Sequence, residues 1–248
     1  MMIRHKVSIN GIEVEAAYNE ATVSKIFLPL LNKLNVMQKE KNKRLLVMLA
    51  APPGAGKTTL LSFLERLSRE QEHLQPIQTI GMDGFHRRQE YLQNHYVQRE
   101  GKQVSMVEIK GAPVTFNLEG LRERIGKVAA GEVVRWPIYD RLLHNPVENV
   151  IVVDSEIVIL EGNYLLLNED GWRDLSMFAD YTISITADQD LLRRRLIERR
   201  IKTGVVEKTA TAFVDFSDMP NVQLCLEKMK EADCRLWIDE DGEYWIVS

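Results

Sequence analysis

The sequence predicts an α/β protein, with a mainly parallel sheet covered by helices on both faces. Short continuous apolar runs recur along the chain, as strands buried on both faces require. Stretches with apolar residues at helical spacing separate those runs. A glycine-rich turn joins the most apolar run to the helix that follows it, giving a strand–loop–helix unit.

Each element has its own signal. Val7–Ile9 and Ile12–Val14 flank Asn10–Gly11, a two-residue hairpin signature. Phe27, Leu30, Leu31, Leu34 and Met37 fall at helical steps, and Pro29 marks a helix start or a kink. Lys39–Arg44 reads as a charged connector. Residues 1–44 are therefore expected to form a small hairpin-and-helix extension packed on a main domain at 45–248. Leu45–Ala51 is the first buried strand, Pro52–Gly56 a tight loop, and Thr58–Arg69 a helix that turns Leu60, Leu61, Leu64 and Leu67 inward. Gln78–Asp83 is the next strand. Asn117 caps a helix running to about Ala130, and residues 133–139 are extended. Asn149–Val153 and Ile157–Gly162 are strands on either side of Asp154–Ser155. Tyr181–Thr186 is a strand, Asp190–Thr203 a basic helix, and Cys234–Ile238 with Tyr244–Val247 a hairpin across Asp241–Gly242.

Composition narrows the function classes. The chain has 248 residues, 45% of them apolar and 27% charged, enough for one large domain with a small appendage. A net charge of −4 argues against general nucleic-acid binding, which needs a basic excess. The apolar runs fall far short of the ~20 residues of a membrane span, so no membrane association is expected. Cys225 and Cys234 lack CxxC spacing and read as reduced thiols. Met1–Asn10 has no apolar leader segment. The expectation is a cytoplasmic protein.

The sharpest chemical signal is Ala51–Pro52–Pro53–Gly54–Ala55–Gly56–Lys57–Thr58, which resembles the Walker A pattern of P-loop proteins. A polyphosphate needs several backbone N–H groups converging on it. Small residues at Gly54, Ala55 and Gly56 let the backbone approach, and the following helix presents its positive end. Pro53, Gly54, Ala55, Gly56, Lys57, Thr58 and Thr59 are the expected nucleotide-binding residues. Lys57 suits the β- and γ-phosphates, and Thr58 is placed to ligate Mg²⁺. ATP and Mg²⁺ are the expected cofactors. Ala51 stands where the pattern has its first glycine, which works if its backbone φ stays negative.

Two carboxylates complete the constellation. Ile157–Leu160 is an apolar run ending in Glu161, the form of a Walker B strand whose acid reaches the metal. Asp83, in Gly81–Met82–Asp83–Gly84–Phe85–His86, is expected at a strand tip near the γ-phosphate. There it can orient an acceptor hydroxyl and take its proton; the competing reading is a turn Asp before Gly84.

Together these segments resemble the phosphoribulokinase/uridine kinase family of P-loop kinases, which includes bacterial pantothenate kinase. Asp83–Gly84–Phe85–His86 is similar to the family's Asp-[Gly/Ser]-Phe-[His/Tyr/Leu] element, Tyr139–Asp140–Arg141–Leu142–Leu143–His144 to its acceptor-side Tyr-Asp-x-x-x-His, and Glu161–Gly162 to its Walker B Glu-Gly. The basic helix at Arg193–Arg200 is similar to its arginine-bearing lid. The likeness spans residues 45–204 and implies a P-loop NTPase-type three-layer fold with a helical lid. It implies an ATP-dependent kinase phosphorylating a hydroxyl of a small molecule, with Asp83 as base. It also implies acceptor contacts from Phe85, His86, Tyr139, Arg141 and His144, and it allows a homodimer. Tyr139 and His144 read otherwise as a loop tyrosine and a surface histidine, Arg141 as a surface charge, and His86 as a loop histidine near a cleft.

Uridine kinases carry an Asp-His-Pro segment; here Gly111–Ala112–Pro113 stands in its place, without the carboxylate. That weighs against uridine specifically. Of the basic helix, Arg195 and Arg199 share one side and are the arginines expected to clamp the transferring phosphoryl group; a solvated face is the alternative. Asp218–Met219–Pro220–Asn221 lies either near the adenine or in a turn. The competing function is a nucleotide-dependent switch or NTPase without a small-molecule acceptor. It would want Asp-x-x-Gly after the second strand, where this chain has His86 at the last position. A non-catalytic ATP-binding module is the third class, opposed by the intact Lys57, Thr58, Asp83 and Glu161.

Overall fold

The computed structural model describes residues 1–9, 12–99 and 101–247. Strands β1 (Met2–Ile9) and β2 (Ile12–Asn19) pair antiparallel along their whole length. The turn expected at Asn10–Gly11 lies outside the described residues. A helical turn α1 (Glu20–Thr22) and a π-turn lead into α2 (Leu28–Lys41), whose Pro29 sits in the first turn, where its missing N–H costs nothing. Then follow β3 (Leu45–Ala50), α3 (Lys57–Arg69), β4 (Ile77–Gly81) and a 3₁₀ turn at Met82–Phe85. Helix α4 (Gln89–Asn94) precedes the short hairpin β5 (Tyr96–Arg99) and β6 (Lys102–Ser105). Helix α5 (Leu118–Ala129) begins at Asn117, whose side chain accepts the Gly120 N–H. Strands β7 (Val134–Asp140) and β8 (Asn145–Val153) form a separate antiparallel arm. The rest is β9 (Ile157–Gly162), β10 (Tyr181–Ala187), α6 (Gln189–Lys202), α7 (Glu207–Phe213), α8 (Met219–Lys228), β11 (Cys234–Ile238) and β12 (Tyr244–Val247).

The central sheet has the order β12-β11-β10-β3-β9-β4, parallel throughout except for the edge strand β12. Alternation along β3 explains the layering. Leu45, Val47 and Leu49 enter one core; Leu46, Met48 and Ala50 enter the other. The first core takes Leu31 and Leu34 of α2, Leu60, Leu61 and Leu64 of α3, and Leu192 and Leu196 of α6. The second takes Leu121, Ile125 and Val128 of α5 together with Trp136, Tyr164 and Trp172. Helices thus cover both faces, giving the three layers of a P-loop fold.

The N-terminal residues share the first core: the Tyr18 ring stacks on Phe63 of α3 at 4.4 Å, and Phe27 meets Tyr244 edge-on at 5.3 Å. The charged connector expected at Lys39–Arg44 is shorter than that, since Lys39–Lys41 end α2, and Arg44 is not solvated. It is buried, and its guanidinium donates to the carbonyls of Ser155 and of Val128 and Glu132 around the end of α5. The segment 218–221 opens α8, so it is the entry to a helix rather than an isolated turn. Both cysteines are free thiols. Among the described residues no helix is long and apolar enough to cross a membrane.

One contact fixes the end of β4. A Cβ on Gly84 would overlap the Pro137 carbonyl of β7, where Trp136 Nε1 also donates to Gly81 O at 2.8 Å. Gly84→Ala is therefore expected to destabilise the fold by on the order of 2 kcal/mol or more. Gly126→Ala, inside α5 with its new Cβ at an ordinary 3.6 Å from Phe178, should gain about 0.5–1 kcal/mol from helix propensity. Denaturant midpoints of the two variants against the parent check the contrast.

Candidate active site

The site begins where β3 ends. Ala51 is buried, lies outside the positive-φ residues, and donates its N–H to Gly162 O at 3.3 Å. The alanine is thus tolerated where the Walker pattern has glycine. Gly54 takes φ 87° and lies so close to α6 that a Cβ would sit 3.0 Å from Leu192 O and 3.1 Å from Leu196 Cγ. Gly56, at φ 78°, precedes α3 and faces open space, with nothing within 4 Å of an added Cβ. A side chain is excluded at the first position by packing and at the second by backbone conformation. The first-turn amides of α3, at Lys57, Thr58 and Thr59, have no intrahelical partner and can meet an anion. Pro53 has no N–H and only shapes the loop, while the Ala55 N–H turns inward to Pro52 O at 3.3 Å.

Two hydrogen bonds tie this loop to β9 and the residues after it. Thr58 Oγ1 donates to Glu161 Oε1 at 2.6 Å, and Lys57 Nζ donates to Asn163 Oδ1 at 2.6 Å. Burial pushes the Glu161 carboxyl up; the Lys57 charge opposes the rise and the Asp83 charge adds to it. Its other oxygen, Oε2, is buried without a hydrogen-bond partner. A hydroxyl beside a carboxylate with a spare oxygen suits Mg²⁺, which fills most of its shell with water and phosphate oxygens. Among the described residues no group of three or more His, Cys, Asp or Glu could cage a metal alone.

Asp83 is exposed in the 3₁₀ turn beyond β4 rather than on the strand itself, which ends at Gly81. Its charge acts on Glu161, His86, Tyr139 and Arg199 around the cleft and on Tyr164 buried beneath it. Phe85 packs inward against Trp136 at 4.9 Å, holding the turn instead of facing the cleft. The His86 ring stacks on Phe116 at 4.0 Å and meets Tyr139 edge-on at 5.1 Å. Burial pushes His86 down to about 4, with Lys110 and Arg141 adding to the fall and Asp83 opposing it. His144 stands at the tip of the β7–β8 arm with φ 50°. Its side chain is exposed, and only its carbonyl joins the site, through Lys110.

The basic helix divides by residue. Arg193 pairs with Asp215 at 2.6 Å, and Arg200 pairs with Asp218 at 3.2 Å while lying over the Phe213 ring. Arg199 is open to solvent on its own surface but crowded by protein. Burial lowers its pKa, Arg141 lowers it further, and Asp218 and Asp83 oppose the fall. The expected pairing of Arg195 with Arg199 does not arise: the Arg195 guanidinium lies against Gly242 and its charge acts on Tyr244, at the β11–β12 turn.

The chain from residue 46 to residue 235 matches the model of the phosphoribulokinase / uridine kinase family. The chain belongs to that family. Uncharacterized protein YggC of Escherichia coli (strain K12) is 37% identical over 244 residues, covering 98% of this chain and 99% of its own. Pantothenate kinase of Shewanella piezotolerans is 26% identical over 238 residues, covering 85% of this chain and 72% of its own. A crystal structure described as a "putative fructose transport system kinase" from Silicibacter sp. superposes with a TM-score of 0.70 at 28% identity, covering 82% of this chain and 98% of that one. This family member is a P-loop kinase, a phosphotransferase of the uridine kinase and phosphoribulokinase type, and its family uses ATP and Mg²⁺.

Sequence reasoning missed Asn163 and Lys110. Asn163 follows the Glu161–Gly162 element and could have been suspected from that position. Lys110 carried no signal, being a single lysine at the end of an unpatterned segment. His86 has a measurable consequence: its pKa falls from 6.5 to about 4 on folding, so the folded state resists the proton and stability is lost as pH drops below about 6.5. His86→Phe keeps the ring stack and should remove up to about 3 kcal/mol of that acid sensitivity. Denaturant titrations between pH 7 and 4 check it. The slope should flatten without vanishing, since burial also lowers His5.

Proposed function

We propose that this kinase transfers the γ-phosphoryl group of ATP to a hydroxyl of a small metabolite, of sugar, nucleoside or pantothenate-like kind, with Asp83 as the base. The observation that carries this reading is the join between Thr58 and Glu161 at 2.6 Å, with one Glu161 oxygen spare and Asp83 close enough to raise its pKa. A metal seat and a solvent-facing carboxylate thus flank one phosphate loop.

The triphosphate lies along Gly54–Thr59, with Lys57 leaving Asn163 to neutralise the β- and γ-phosphates. Thr58 and Glu161 would hold Mg²⁺, which would offset charge on the phosphate oxygens. The acceptor hydroxyl enters beside Tyr139 and His86 and points at Asp83. Its oxygen forms a bond to the γ-phosphorus as the bond to the β–γ bridging oxygen breaks, ADP leaves, and the hydroxyl proton passes to Asp83. Arg199 is placed to stabilise charge on the transferring group. Tyr139, His86 and Arg141 position the acceptor, and closure of the cleft excludes water and limits hydrolysis.

The test is ADP release with a panel of sugars, nucleosides and vitamin precursors. Asp83→Ala should lower kcat by about 10²–10⁴-fold with ATP affinity kept. Glu161→Gln should abolish the Mg²⁺-dependent rise in Tm on adding ATP. Equal turnover by Asp83→Ala removes Asp83 from its role, and ADP release indifferent to every acceptor favours an NTPase.

A further inference from the structure

The cations around the cleft differ in their partners. On α6, Arg193 and Arg200 are neutralised by Asp215 and Asp218. Among the described residues Lys110, Arg141 and Arg199 form no ion pair. Lys110 is half-buried, and its Nζ donates to two neutral acceptors, Gln89 Oε1 at 2.8 Å and His144 O at 3.0 Å. The ammonium also lies 4.8 Å from the centroid of the Tyr139 ring. Three elements therefore hold one cation at the acceptor side: the start of α4, the tip of the β7–β8 arm, and Tyr139 on β7. An ammonium has three N–H donors, so one donor and the whole charge are left without a partner. A half-buried cation with no counter-ion is costly, and such a cost is commonly kept where a ligand supplies the counter-charge.

Neither acid nearby pairs with Lys110. Asp140 caps the Leu142 and Leu143 amides at 2.8 and 2.9 Å. Among the described residues Asp83 is the only other carboxylate whose charge reaches Tyr139, and it forms no ion pair with Lys110. The segment Gly111–Asn117, which lies beside His86 through the Phe116 stack, offers no carboxylate to accept a neutral polyol's hydroxyls.

We propose that the acceptor carries a negative charge, a carboxylate or a phosphate, and that Lys110 with Arg141 holds it beside Tyr139. This deepens the kinase reading and rests on it. Asp83 then meets the hydroxyl end of the acceptor and Lys110 the anionic end. Burial lowers Lys110 to about 8, which makes its occupancy readable. The charged and titratable groups facing this cluster are His86, Arg141, Asp83, Asp140 and Tyr139.

Matched probes test the charge without needing the true substrate: D-glycerate against glycerol, and D-ribose 5-phosphate against D-ribose. A pulse of acetic anhydride at pH 8 labels Lys110, with Lys57 shielded by a non-hydrolysable ATP analogue and Mg²⁺, and the peptide is read by mass spectrometry. An anionic probe should slow Lys110 labelling by about fivefold or more while its neutral partner leaves it unchanged. Equal protection by both members of a pair, or protection by neither anion, overturns the proposal. For any acceptor turned over, Lys110→Met should lower kcat/KM by about tenfold or more with KM for ATP unchanged. Parent kcat/KM should fall as pH rises through about 8, and Lys110→Arg should extend activity above it; a flat parent profile counts against the proposal. If no acceptor is phosphorylated, the kinase reading fails while the labelling result still decides the charge of the pocket.

Discussion

Six residue pairs join β3 to β9 in parallel register, and the last sets Ala50 against Gly162. That register puts Glu161 beside Leu49, one step before the chain leaves β3 for the phosphate loop. A slip of one residue would turn Glu161 into a hydrophobic layer and Leu160 toward the loop. It is resisted from both faces, because Ile157, Val158, Ile159 and Leu160 are all buried and alternate between two cores. The geometry of the proposed site is thus fixed by apolar packing well below it. The Thr58–Glu161 hydrogen bond follows from strand pairing and has no need to organise the site itself.

The strand tips carry what the cores leave unsatisfied. Glu161 has an oxygen buried without a partner, His86 a buried Nδ1 without one, and Lys110 a charge without a counter-ion. Such groups oppose folding; they also occur at His5 Nδ1, Arg66 Nε and Ser217 Oγ, whereas buried Arg44 finds backbone carbonyls for its guanidinium. At Glu161, His86 and Lys110 a bound ligand can supply the missing partners.

Much of this was legible in the chain. All six central strands are foreseen from the sequence, β3 and β9 as continuous apolar runs and β11–β12 by the turn between them, and the glycines at 54 and 56 by the chemistry they permit. What was not legible depends on contacts distant in sequence. Arg195 and Arg199 share a helical side, yet periodicity cannot say that Gly242 and Tyr244 cover one end of it. Lys110 gains meaning only when α4 and the β7–β8 arm close around it. Phe85 looks like an acceptor contact in the linear motif, but Trp136, 51 positions on by numbering, claims its ring. Asn163 acquires a role only through Lys57, across a separation of 106 residues.

The contact between Gly54 and α6 bears on how the lid works. The loop backbone packs on Leu192 and Leu196, which are buried in the same core as β3. Arg193 and Arg200 pin the same helix to the π-turn that leads into α8, through Asp215 and Asp218. Helix and phosphate loop are thereby one packed unit, so Arg199 is carried with the loop rather than swung onto it. Stabilisation by a group already in place costs no reorganisation during the reaction. A closing motion, where one is needed to exclude water, falls to segments without such anchors. The exposed turn at Thr203–Gly204 fits that description. The tip of the β7–β8 arm is itself anchored, His144 O accepting from Lys110 and Asn145 Oδ1 from the Gln89 N–H, so Arg141 is carried on a tip already fixed to the Lys110 side, and a motion at Thr203–Gly204 would leave it in place.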